Sequence, residues 1–132
     1  MPKHINASPC PACDKKLKQV HADLAHWVRM LRETHPDAHV SCGFRGEADQ
    51  ELAKKTGHSN AHFGQSAHNT VPATAVDLFR LTQQAGASFD KPWYEAVVAP
   101  IARASGLVWG GDWHSIKDMP HVELPGFKPF KA

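Results

Sequence analysis

The most constraining feature of this chain is an acid where a strand calls for an apolar residue. Residues 74–81 read TAVDLFRL, with Asp77 between Val76 and Leu78. A short run of apolar and β-branched residues, bounded by turn formers, predicts a strand, and its near-continuous apolar character predicts burial on both faces. A carboxylate in such a strand is costly unless a charge, hydrogen-bond donors or a metal ion compensates it. The fold must therefore deliver a partner to position 77 from elsewhere in the sequence. An arginine or backbone donors would make Asp77 a structural acid; a metal ion would make it a ligand.

The rest of the chain supplies scaffold. Leu17, Val20, Leu24, Trp27, Val28 and Leu31 recur at helical spacing, which predicts one helix over residues 14–35. Asp14 is its expected N-cap, Pro36 its stop and Trp27 a packing residue. Residues 38–45 read as a short strand and 46–57 as a short helix ended by Gly57. A helix is expected over 90–106, with Pro92 in its first turn, Gly106 past its end, and Pro100 inside, where it must kink or interrupt. Residues 107–111 and 119–124 read as two more strands, and 125–132 as an extended tail. The order α-β-α-β-α-β-β predicts a small α+β domain, an antiparallel sheet flanked by helices. A length of 132 residues fits one domain, 1–132, with 1–13 as an N-terminal extension.

Chemistry concentrates in two places. Residues 57–74 are rich in Gly, Ser, Asn, His and Pro and show no period, and so long a loop in a small domain is usually functional. It carries His68. The late segment KDMPHVEL carries His121, with Asp118 three residues before it and Glu123 two after. Residues two apart on a strand share a face, so His121 and Glu123 point together, while Asp118 precedes Pro120 in a loop. Catalytic zinc takes three protein ligands from histidine nitrogens and carboxylate oxygens and keeps a position open for water. His68, Asp77 and His121 fit that donor set, with a nearby carboxylate as general base.

The segments SAHNTVPATAVDL and WGGDWHSIKDMPHVEL resemble the zinc peptidases that include D-alanyl-D-alanine carboxypeptidases, vancomycin-resistance dipeptidases and the L-alanyl-D-glutamate endopeptidases of phage endolysins. That family carries Ser-x-His, Ala-x-Asp and an acid three residues before a final His. They are matched here by Ser66 and His68, by Ala75 and Asp77, and by Asp118 and His121. SCGFRGEADQ resembles the family's Ser-Gly-[Tyr/Phe]-Arg segment, with Gly43, Phe44, Arg45 and a following Gln50. Four segments in the right order, over residues 38–124, make the resemblance specific. The chain departs from it in the loop from His68 to Asp77, which is two residues longer and has Pro72 in place of a glycine. Loop closure costs rise slowly with length, so such a loop can still close on a metal.

The resemblance implies a fold of the hedgehog and D,D-peptidase type and one catalytic zinc held by His68, Asp77 and His121. It makes Asp118 the general base and Arg45 the group that, with zinc, stabilises an oxyanion. Arg45 pairing with Glu47 or Asp49 is the structural alternative. Ser66 is expected to orient a ligand, and Glu123 to accept from a ligand imidazole or to serve as an alternative base. Gln50 reads as structural, with substrate contact as the alternative, and Trp109 and Trp113 as cleft walls or as core. His58, His62 and His114 read as loop residues. An aspartate at position 118 matches the endopeptidase branch. The implied substrate is bacterial peptidoglycan, cut between L-Ala and D-Glu. Trimming of terminal D-Ala is the alternative, and a non-catalytic metal- or wall-binding module on the same fold is a further one.

Composition bounds the rest. A net charge of +2 gives no footprint for nucleic acid, and no run approaches a membrane span. The segment MPKHINASPC has no apolar core of a signal peptide. The expectation is a monomer made in a host cytoplasm and released to the wall by a holin-type mechanism. Cysteines stand at 10, 13 and 42. CPAC reads first as an N-terminal turn with two reduced thiols, and otherwise as half a zinc site or a redox pair, with His4 and Cys42 as candidate extra ligands.

Overall fold

The computed structural model describes residues 9–114 and 116–130. Two helices open the described chain, α1 (Pro11–Leu17) and α2 (Ala22–Thr34), rather than one. Cys10, not Asp14, is the N-cap of α1: its sulfur accepts the Cys13 N–H at 3.1 Å. The break falls where Val20 leaves the helix to form a single parallel bridge with Ala73. The apolar periodicity runs through both helices because both bury the same face. Leu17, Val20, Leu24, Val28 and Leu31 all enter the core. Trp27 packs against its edge and donates to Ser105 Oγ at 3.0 Å.

The sheet is built from β1 (Ala38–Cys42), β2 (Ala75–Thr82), β3 (Gly86–Ser88), β4 (Val108–Trp109) and β5 (His121–Glu123). The main path is β1-β2-β5-β4, β3 pairs with β2, and every ladder is antiparallel. The expected α+β class with an antiparallel sheet is the class observed. β3 escaped the sequence reading because QQAGAS has no apolar alternation; its strand state follows from the hairpin with β2. β2 is not buried alike on both faces. Val76 and Leu78 are fully buried in the core, while Asp77 and Phe79 on the other face are half-buried. That second face is the floor of a cleft.

α3 (Glu47–Lys55) follows β1. The helical stretch after β3 is split into α4 (Lys91–Trp93), a π-helical turn over Tyr94–Val98 and α5 (Ala99–Ala104). Pro100 has no N–H to give the preceding turn, and the wider π turn lies just before it. Tyr94 is fully buried here and donates to Leu78 O at 2.7 Å, which ties this helix to the middle of β2.

Two glycines permit close approaches on which the cleft depends. A Cβ on Gly43 would stand 2.9 Å from Val20 Cγ2 and 3.1 Å from Lys16 O. A Cβ on Gly110 would collide with the Asp118 carbonyl, whose own N–H donates to Gly110 O at 3.0 Å. Glycine at 110 thus lets the loop carrying Asp118 lie against the end of β4.

Candidate metal centre

Register places the site. Cys42 on β1, Asp77 on β2 and His121 on β5 are Cα partners in one row across three strands. His68 reaches over that row from a short 3-10 helix, Ala67–Asn69, capped by Ser66, whose Oγ accepts the His68 N–H at 3.2 Å. The loop from His68 to Asp77 is pinned along its length. Ala73 donates to Gln19 O at 2.9 Å and accepts from His21 N at 2.8 Å, and Thr74 N donates to Ala67 O at 3.0 Å. The end of the loop is thereby anchored on the α1–α2 connection.

Both imidazoles aim at one carboxylate oxygen. His68 Nε2 lies 3.1 Å and His121 Nδ1 3.2 Å from Asp77 Oδ1. The far nitrogen of each ring is already committed. His68 Nδ1 donates to Gly43 O at 2.8 Å, and His121 Nε2 donates to Glu123 Oε1 at 2.6 Å. A carbonyl can only accept, so His68 Nδ1 carries the proton, and the Glu123 carboxylate imposes the same on His121 Nε2. In the neutral rings the inner nitrogens are bare lone pairs facing a carboxylate oxygen. Three electron-rich atoms so close require a cation among them, either protons or a metal ion. This is the fit that a divalent ion needs: deprotonated inner nitrogens, fixed tautomers and one carboxylate.

The charge balance says the same. Burial opposes a charged His68, yet the Asp77 carboxylate beside it outweighs burial and pushes its pKa up to about 10. His121 is raised too, against burial, by hydrogen bonds to Asp77 and Glu123. Burial would raise Asp77, but the two histidines hold it well below the carboxylate range. All three shifts favour positive charge between the rings and the carboxylate, which is the charge that a metal ion would supply. Asp77, Asp118 and His121 offer donor atoms within 4.8 Å of one another, as do Cys42, His68 and Asp77. Asp77 belongs to both groups.

Asp118 stands on the rim, Oδ2 3.9 Å from His121 Nδ1, with its side chain 42% exposed. Burial, followed by the neighbouring Asp77 charge, raises its pKa. Arg45 reaches the centre from the other side. One of its terminal nitrogens lies 3.7 Å from Asp77 Oδ2 and also donates to Cys42 Sγ at 3.4 Å; the other donates to Gln50 Oε1 at 3.1 Å. The expected alternative, pairing with Glu47 or Asp49, is not among the ion pairs of the described residues. Gln50 is fully buried and bonds Arg45, Ser59, Ala61 and Asn69, so it holds the site's frame and does not face a substrate. Trp113 lies 4.9 Å ring to ring from His121 and lines the cleft. Trp109 is core, donating to Met119 O at 2.7 Å.

Asn69 was not picked out from the sequence. Its Oδ1 accepts from Gly64 N at 2.8 Å and Ser66 N at 3.1 Å, and its Nδ2 donates to Arg45 O and Gln50 Oε1, each at 3.0 Å. It ties the His68 turn to the Arg45 segment. The Ser66-x-x-Asn69 spacing, a capping-box pattern, was the signal available. Cys42, weighed only as a partner for CPAC, instead lies in the cleft, its Sγ 3.7 Å from His68 Nδ1. CPAC itself is corrected: Cys10 and Cys13 are joined as a disulfide, and Cys13 is buried in the core rather than in a free extension. His4 lies outside the described residues.

The cleft above this row is open and has a volume of about 880 Å³. Two imidazoles and a carboxylate on its floor, with a second carboxylate on the rim, form a donor group that could hold one metal ion, the set that mononuclear hydrolytic centres use. A family model described as D-alanyl-D-alanine carboxypeptidase matches residues 59–124, and the chain belongs to that family. The match takes in His68, Asp77, Asp118 and His121. The chain is 32% identical over 106 residues to the peptidoglycan L-alanyl-D-glutamate endopeptidase CwlK of Bacillus subtilis. That alignment covers 67% of this chain and 60% of the relative, so the chain spans well under the relative's full length. The crystal structure of Serratia marcescens L-Ala D-Glu endopeptidase ChiX superposes with a TM-score of 0.67 at 28% identity, covering 86% of each chain.

Proposed function

We propose that this protein is a zinc-dependent peptidase that hydrolyses peptidoglycan stem peptides, at the bond between L-alanine and D-glutamate. The observation that carries the reading is the pair of tautomer-locked imidazoles converging on Asp77 Oδ1. The two relatives named as L-Ala–D-Glu endopeptidases support the choice of bond. His68 Nε2, His121 Nδ1 and an Asp77 oxygen would hold the ion. The chemistry such an ion supplies is Lewis acidity, which brings the pKa of a water towards about 7 and polarises a carbonyl.

The chain's own residues do the rest. Asp118, raised and half-exposed beside the centre, accepts the proton of the attacking water and returns it to the leaving nitrogen. Arg45 brings positive charge to the floor of the cleft and offsets the negative charge that develops on the carbonyl oxygen. A guanidinium has five N–H donors, so its contacts to Gln50 and Cys42 leave others for substrate. Glu123 holds His121 in the tautomer that presents Nδ1. Trp113 gives the cleft an apolar wall.

The lytic setting, with phage origin, a monomeric enzyme and holin-type release from a cytoplasm, is part of the same proposal. Its support is the aspartate at position 118, the residue that the resemblance to phage endopeptidases implies there; the two named relatives are bacterial proteins and lend it none. Terminal D-alanine trimming is the second reading, favoured by the description of the matching family model.

The test is mass analysis of fragments released from purified peptidoglycan by the zinc-loaded protein. New L-alanyl carboxyl and D-glutamyl amino ends support the endopeptidase. Free D-alanine assigns the carboxypeptidase instead. No fragments at all would leave a binding module and overturn the proposal.

A further inference from the structure

A second cluster of metal-type donors lies outside the cleft, where the start of α1 meets β1. Cys10 and Cys13 sit at the start of α1, and the C-x-x-C turn brings their Cα atoms to 5.2 Å. His39, on β1, turns its Nδ1 to both sulfurs, 3.3 Å from Cys10 Sγ and 3.6 Å from Cys13 Sγ. The three donor atoms lie within 4.8 Å of one another. We propose that the reduced Cys10–Cys13 pair and His39 form a second metal site, which takes a thiophilic divalent ion such as zinc and pins the start of α1 to β1.

Four observations carry this. The donor set is chemically specific: two sulfurs and an imidazole select borderline-soft ions such as zinc over magnesium or calcium. The edges from His39 to the sulfurs fit as well, while the two sulfurs, bonded to each other here, must move apart to share an ion. With Zn–S bonds of about 2.3 Å and Zn–N of about 2.0 Å, the S···N edge of a tetrahedron is roughly 3.5 Å. The observed separations of 3.3 and 3.6 Å bracket that value. The sulfurs also have backbone N–H donors that would stabilise thiolates. Cys13 N–H donates to Cys10 Sγ at 3.1 Å, and Val40 N–H to Cys13 Sγ at 3.4 Å. Finally, the residues around the pair are packed. Cys13 is 1% exposed in the core, and the His39 ring packs at 5.6 Å on that of Phe79. Water can supply the remaining coordination on the outer side, where Cys10 and His39 are half-buried.

The disulfide seen here is the oxidised form of the same pair. The two forms exclude each other, because forming the sulfur–sulfur bond removes two electrons from the pair and leaves no thiolate charge to bind the ion. A metal therefore binds only after a dithiol or phosphine has given the disulfide two electrons, with two protons taken from solvent; the resulting thiols release those protons as they bind the ion. This site and the cleft are separate, so the second metal does not depend on the peptidase reading.

The test is cobalt(II) titration of the full chain, stripped of metal and reduced with a phosphine, followed by absorption and metal analysis. The expected result is two bound ions per chain, one of which gives intense thiolate-to-cobalt charge transfer. Oxidation to the disulfide should remove that band and leave the other ion. Cys10→Ser, a half-buried position that spares the core, should abolish it, and His39→Ala should weaken binding on the order of tenfold or more. His68→Ala should leave it intact. Reduced protein without charge transfer, or a band that survives Cys10→Ser and disappears in Cys42→Ser, would overturn the proposal.

Discussion

Asp77 and His121 face each other across the β2–β5 ladder, Oδ1 3.2 Å from Nδ1, as Cα partners in register. The register leaves no slack: slipping β5 by one residue would turn His121 into the core and bring Val122 to the cleft. Asp77→Asn keeps the shape and removes the charge. We expect it to lose bound zinc, and in the metal-free protein to return the His68 titration from about 10 towards its ordinary 6.5. Metal analysis and histidine titration by NMR check this. A variant that keeps zinc at wild-type affinity would contradict Asp77 as a ligand.

The metal-free protein should have an unusual pH profile. His68 is raised from 6.5 to about 10, so its contribution is complete below pH 6.5 and is lost as pH climbs through about 10. Asp77 is lowered from 3.8, so its contribution is present above that pH and lost on further acidification. Thermal stability without metal should therefore be greatest between pH 3.8 and 6.5 and decline on the alkaline side. With zinc in place of the protons the alkaline decline should disappear. Identical alkaline profiles with and without zinc would refute the account.

Asp118→Asn separates chemistry from binding. The carboxylate stands 3.9 Å from His121 at the rim, beyond hydrogen-bond distance, whereas Gly43 and Glu123 hold the two rings. Zinc content should stay near one in the cleft, while kcat on peptidoglycan fragments falls by about 10²–10⁴. Unchanged turnover would remove Asp118 from the role of base.

Glu123→Gln tests the tautomer. At 2.6 Å the carboxylate fixes the proton on His121 Nε2. An amide can accept that proton only weakly, and it can instead donate to Nε2, which moves the proton to Nδ1. Zinc affinity should fall about 10–100-fold, measured by competition with a chelator. An unaltered affinity would make Glu123 a bystander.

Asn69→Ala probes the frame. The side chain is 2% exposed and makes four hydrogen bonds, to Gly64, Ser66, Arg45 and Gln50. Removing it strands buried donors and acceptors and should cost about 3 kcal/mol in denaturant unfolding. Since the lost bonds link the His68 turn to Arg45, activity should fall in protein that is still folded. A stability loss within experimental error would show that water replaces the amide.

Much of the site was legible because ligand chemistry leaves residue types that packing alone does not favour. Asp77 in an apolar strand and His121 two residues before Glu123 are anomalies in a local pattern, and a strand's two-residue period already puts the latter pair on one face. The break between α1 and α2 was not legible, because both helices bury one continuous apolar stripe and periodicity does not register a pause. β3 was hidden for the opposite reason, having no apolar pattern to read. The division of Trp109 into the core and Trp113 into the cleft wall depended on the turn at Gly110–Asp112.

By itself the sequence determined which side chains could serve as donors, the α+β class and the strand that holds the central acid, since these follow from residue type, spacing and local period. Only the tertiary structure decided which atoms meet. The row of Cys42, Asp77 and His121, the tautomers fixed by Gly43 and Glu123, and the approach of His39 to Cys10 and Cys13 all join residues from separate segments. Register and packing set those distances, and both are properties of the assembled sheet and core that no local stretch of chain contains.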